Sequence, residues 1–242
     1  MTQIWVYLAA SPLLWLTATL LCYLVALKIY RLSASHPLLN PVVIAAGLLI
    51  GLLVLTGTSY ETYFKGAQFI HFLLGPATVS LAIPLYQQRD RLKVLAPLIV
   101  VALPLGVLTA TSSAVWLGYL FGADSATLIS LAPKSVTTPV AMGISEKLGG
   151  IPSLTAVLVI GTGIIGAILG TGLLKLLGCR DEAVQGFAMG LAGHGIGTAR
   201  SFQVNRTMGA FAGLAMALSA FTTALMIPPL LRWVGLVSQN PL

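Results

Sequence analysis

From Val94 to Ala123 thirty consecutive residues carry no charge. Equally uncharged runs occupy residues 1–27, 37–60, 66–88, 148–174 and 207–231, each closed by a short charged cluster. Hydrocarbon offers no partner to a backbone N–H or C=O, so runs of about twenty apolar residues read as helices that satisfy themselves and cross a bilayer. Only 8% of the 242 residues are charged, against about a quarter in a soluble domain. The expected fold is all-α: a polytopic membrane protein in one domain, residues 1–242.

The same runs narrow the function. Net charge is +7, but the basic residues stand singly or in short loops, which fits membrane topology and not nucleic acid. Residues 1–27 lack the basic start of a cleavable signal. Trp5, Tyr7 and Trp15 are expected to anchor the outer end of the first span, and Tyr23 and Tyr30 its inner end. Lys28, Arg31 and His36 follow. Tyr60, Glu61, Tyr63 and Lys65 read as an interfacial loop, with Glu61 and Lys65 four apart as a surface pair. The six acidic residues lie in or beside loops. There is no intramembrane carboxylate pair and no metal-ligand spacing, so neither an enzyme nor a cofactor is expected. Cys22 and Cys179 suggest neither a disulfide framework nor a metal site.

Two stretches do not fit the pattern of spans. Leu131 to Met142 holds Pro133 and Pro139, each lacking a backbone donor, with Lys134, Ser135, Thr137 and Thr138 between them. Ala183 to Ala199 holds five glycines in 17 residues, too short and too glycine-rich for a firm span. If residues 125–145 and 184–205, which hold these stretches, both cross, the chain has eight spans. If both are re-entrant, six full spans remain, and the segments enter from opposite faces. Each is then followed by one span, giving pairs 124–178 and 179–242 after scaffold-like spans over 1–123. That is the inverted arrangement of many secondary transporters, and it is the reading preferred here. The basic loops put residues 89–93 in the cytoplasm.

A lone lysine beside broken backbone at bilayer depth points to an anion. Lys134, helped by the hydroxyls of Ser135, Thr137 and Thr138 and by helix N-termini, could hold one. The second stretch adds His194, Thr198 and Arg200; a guanidinium suits a carboxylate. His194, between two glycines, reads first as a packing residue and second as a proton carrier. Leu74 to Thr78 reads as a proline kink, with Thr78 and Ser80 facing the cavity should it unwind.

Leu131 to Ala141, His194 to Arg200, Leu38-Leu39-Asn40-Pro41 and Tyr60 to Gly66 resemble the LrgB/CidB family over nearly the whole chain. That resemblance implies a bacterial inner-membrane protein, antiholin-like, that regulates murein hydrolase export and acts beside a small LrgA/CidA-like membrane partner. The plastid glycolate/glycerate translocator resembles both partners fused, and bacterial members have been linked to pyruvate movement. Two functions are therefore expected to compete. One is a transporter of small monocarboxylates such as pyruvate, glycolate or glycerate. The other is an antiholin-like regulator whose homo-oligomer contacts use small faces at Gly161, Gly166 and Gly170.

Overall fold

The computed structural model describes residues 12–33 and 39–237, and Trp5, Tyr7, His36 and Leu38 lie outside the described residues, as does the side chain of Thr78. All regular structure among the described residues is helical. Among the described residues four helices are long and apolar enough to cross a membrane, beginning at Leu13, Arg89, Pro152 and Arg206, and Pro41–Thr56 is a shorter apolar one. The chain divides into two compact units, Met1–Leu81 and Ala82–Leu242.

The first unit contains α1 (Pro12–Leu32), α2 (Pro41–Thr56), α3 (Tyr60–Phe72) and α4 (Leu74–Ser80). Asn40 starts α2 by accepting from the Val42 amide at 2.9 Å, with Pro41 at the first helical position, where its missing donor costs nothing. Gly57 ends it at φ 62. Two expectations fail here. Residues 60–65 are not a loop but the first turns of α3, and Glu61 and Lys65 do not close an ion pair. Trp15 is not an interfacial anchor. It is 1% exposed, edge-on to Tyr63 at 6.0 Å between ring centroids, because α1 and α3 pack together.

The second unit contains α5 (Ala82–Gln87), α6 (Arg89–Leu120), α7 (Ser125–Leu131), α8 (Thr138–Leu148), α9 (Pro152–Leu176), α10 (Glu182–Val204) and α11 (Arg206–Trp233). Arg91, in the first turn of α6, is paired with Asp181, which caps α10 by accepting from the Ala183 and Val184 amides. The end of α9 lies five residues before Asp181, so the start of α6, the end of α9 and the start of α10 share one end of the unit. Gln88 reaching Thr207 adds the start of α11 to that end.

Residues 183–199, expected to be too short and too glycine-rich for a firm span, are helical apart from His194. Their glycines serve close approach. A Cβ on Gly186 or Gly190 would run into the Met208 or Ala212 carbonyl, so two small residues four apart let α10 lie directly on α11. Gly166 and Gly170 of α9 likewise face Gly193 and Met189 of α10. These two glycines therefore serve contacts inside the unit, whereas Gly161 faces open space. One residue, Asn205, separates α10 from α11; extended at φ −162, it accepts from the Met208 amide at 2.7 Å.

Candidate functional site

Helix α7 stops where Pro133 removes a donor. Residues 132–135 form turns and Val136 a bend, with the Lys134 amide on the Leu131 carbonyl at 3.2 Å and the Val136 amide on the Pro133 carbonyl at 3.3 Å. The expected break is thus present. Half-buried Lys134 points its Nζ to Ser135 Oγ at 3.3 Å. Thr137 is extended and starts α8 without a side-chain cap, and Pro139 sits in the first turn. The first turn of α8 therefore presents backbone donors that no side chain of Thr137 satisfies.

Contacts give the depth of this break. Ser130 Oγ accepts from the Ile151 amide, just ahead of α9, at 2.7 Å. Val136 and Ala141 pack on Val159, seven residues into α9 and so about 11 Å along it. Helix α8 then returns toward the start of α9, where Thr155 Oγ1 donates to Ser145 Oγ at 2.8 Å. On the α6 side, Thr111 Oγ1 donates to the Ala132 carbonyl at 3.1 Å.

The second break falls at His194. Its φ of 40 and ψ of −131 are unique among the described non-glycine residues in having positive φ. Beyond it the chain turns back. A Cβ on Gly197 would meet the Met189 carbonyl, although residues eight apart in one straight helix are separated by about 12 Å. Helix α10 is thus two arms, 182–193 and 195–204. The imidazole is 4% exposed, with Nε2 bonded to the Val159 carbonyl at 2.9 Å and its ring against Gly163. A carbonyl only accepts, so Nε2 carries the proton. Thr198 Oγ1 donates to the His194 carbonyl at 2.8 Å and thereby ties the turn.

The two breaks therefore meet on one stretch of α9: Val136 packs on Val159 and His194 bonds to it. Arg200 is not at that level. It lies six residues further, about 9 Å along the returning arm, with Nη1 on Gln203 Oε1 at 3.3 Å. Of the candidates, Lys134, Ser135, Thr137 and Thr138 cluster at the first break, and His194 and Thr198 build the second. The backbone at Thr78 is helical within α4, in the other unit.

Sequence reasoning missed Thr111, Ser219 and Thr223. They join Ser135 around a cavity of about 10 Å³ walled by Pro133, Val136 and Leu191, room for one water. Lys134 is not among its lining residues. Hydroxyls recurring inside uncharged spans, as in Thr109-Ala110-Thr111-Ser112-Ser113, were the available signal. The Val159 carbonyl has no signal in sequence.

Residues 19–233 match the model of the LrgB-like family. The chain belongs to that family. Among its relatives is the holin-like protein CidB of Staphylococcus epidermidis, 35% identical over 93% of this chain and 97% of the relative. YwbG of Bacillus subtilis is 34% identical over 89% of this chain and 96% of its own length. CidB of Staphylococcus aureus is 32% identical over 91% of this chain and 96% of the relative. No solved structure matches. The LrgB-like chain is a multi-pass membrane protein, and its bacterial relatives fit an inner-membrane location. The relatives' names favour the holin-like reading over carboxylate transport.

Proposed function

We propose that this LrgB-like protein is the larger membrane component of a holin-like system and regulates murein hydrolase release together with a small LrgA/CidA-like partner, without catalysis of its own. The observation that carries this reading is the near full-length relationship to staphylococcal proteins named holin-like. The topology proposed with it has six full spans and two re-entrant hairpins. Helix α6 leaves the Arg91 end and α9 returns to it, so residues 121–151 begin and finish at the far end. Residues 181–205 begin and finish at the Arg91 end, because the chain turns back at His194. The two hairpins, each followed by a span, form an inverted pair. The test is deletion and complementation in a host with its partner, reading autolysis and released hydrolase by zymography. Release that is identical with and without the chain rejects the regulator.

One geometric observation favours the second reading, a carrier of small monocarboxylates. Helix α8 and the returning arm of α10 both start at the Val159–Gly163 level. Two positive helix ends and Lys134 are thus at one depth, an arrangement that suits an anion. Lys134→Ala is expected to abolish labelled pyruvate or glycolate flux in proteoliposomes, while Arg200→Ala reduces it less. Flux that survives both changes removes this site.

A further inference from the structure

On the proposed topology the cations of the second unit divide unevenly. Arg89, Arg91, Lys93, Lys175, Arg180 and Arg206 belong to the Arg91 end, which the positive-inside rule makes cytoplasmic. Lys134 and Arg200 belong to the two hairpins, which leaves Lys147 and Arg232 for the outer end. These last two line the same cavity, of about 360 Å³, between α8 and α11. Its wall is apolar, with Val140 and Ile144 on one side and Ala224 and Pro228 on the other. Neither cation has a carboxylate within ion-pair distance among the described residues.

Each cation closes the last turn of its helix, and the helix dipole accounts for that much. It does not account for their sharing one groove, nor for Gly143. This glycine lines the same groove in the interior of α8, where it is a much poorer helix former than alanine. It has no positive φ, and an added Cβ would meet nothing within 4 Å. Neither backbone conformation nor packing within the chain calls for glycine there. Its lack of a side chain widens the groove for an occupant from outside.

We propose that this groove holds one anionic phospholipid of the outer leaflet, its phosphate between Lys147 and Arg232 and an acyl chain along the apolar wall past Gly143. Two cations at headgroup level complement a phosphodiester, and hydrocarbon complements the wall below. The inference rests on the proposed topology but on neither functional reading.

The test is native mass spectrometry of the full chain in detergent, titrated with phosphatidylglycerol, phosphatidylcholine or inorganic phosphate. One tightly bound phosphatidylglycerol is expected. Lys147→Ala/Arg232→Ala should weaken it about tenfold or more, the scale of losing charge-assisted contacts. Gly143→Leu, whose Cβ would meet no atom within 4 Å and whose remaining atoms would occupy the groove, should weaken it comparably without lowering the unfolding temperature, since leucine is the better helix former. Arg89→Ala/Lys93→Ala at the other end should leave it intact. Equal binding of phosphatidylcholine, retention in the groove variants, or displacement by inorganic phosphate alone would each overturn the lipid site.

Discussion

His194 holds a conformation that suits glycine, and its side chain compensates through the Val159 carbonyl. Two substitutions separate these terms. His194→Ala keeps the backbone strain and loses the hydrogen bond; His194→Gly loses both. The glycine variant should therefore unfold at a higher temperature than the alanine variant, by the equivalent of about 1–3 kcal/mol of relieved strain, as measured by thermal unfolding in detergent. Identical midpoints would mean that the turn relaxes when the ring is removed. The glycines around it behave differently from one another. Gly190→Ala must push apart two backbones and should cost about 3 kcal/mol, the upper range for overpacking. Gly161→Ala, facing open space, should raise stability slightly through helix propensity. Size-exclusion profiles and melting curves of the pair give the answer directly.

Among the elements, α10 depends most on its foot. The Val184 amide, the largest cause, holds the Asp181 carboxyl below the usual aspartate range; burial opposes it, and the Arg91 side chain and the Ala183 amide add to the lowering. Its folded pKa is lower than its unfolded one, so its stabilisation is complete above the unfolded value near about 3.9 and fades as pH falls through the folded value. Acidification below about pH 4 should loosen the start of α10, and Asp181→Asn should flatten that dependence at little cost near neutrality, because asparagine caps as well as aspartate and the pair with Arg91 is solvent-screened. Amide hydrogen exchange of residues 182–188 across a pH series reads both effects. Proline at 133 and 139 announced one break, because a missing donor is visible in the residue name. A break in the second stretch was expected but its position at His194 was not, since glycines on both sides permit a turn without requiring one. What requires it is the carbonyl of Val159, a group every residue possesses. Likewise Trp15 looked like a belt residue because its partner, Tyr63, is 48 positions away.

For the whole molecule, the charge-free runs foretold a helical membrane protein, and the two motif stretches foretold its family. They did not foretell the division at Leu81, which falls inside one uncharged run. The topology makes a sharp expectation. In a background with Cys22 and Cys179 replaced, Asp124→Cys and Glu146→Cys should both label from outside the cell, and Arg180→Cys and Arg206→Cys both from within. Opposite labelling of the first pair would restore the eight-span arrangement. Finally, the linkage at Asn205 carries a mechanical consequence. One fully stretched residue leaves no slack between the returning arm and the last span, so a tilt of Arg206–Trp233 drags the arm and, through it, the buried imidazole. Inserting two glycines after Asn205 should uncouple that lever, leaving the assembly folded while abolishing whatever signal passes from the final helix to the interior.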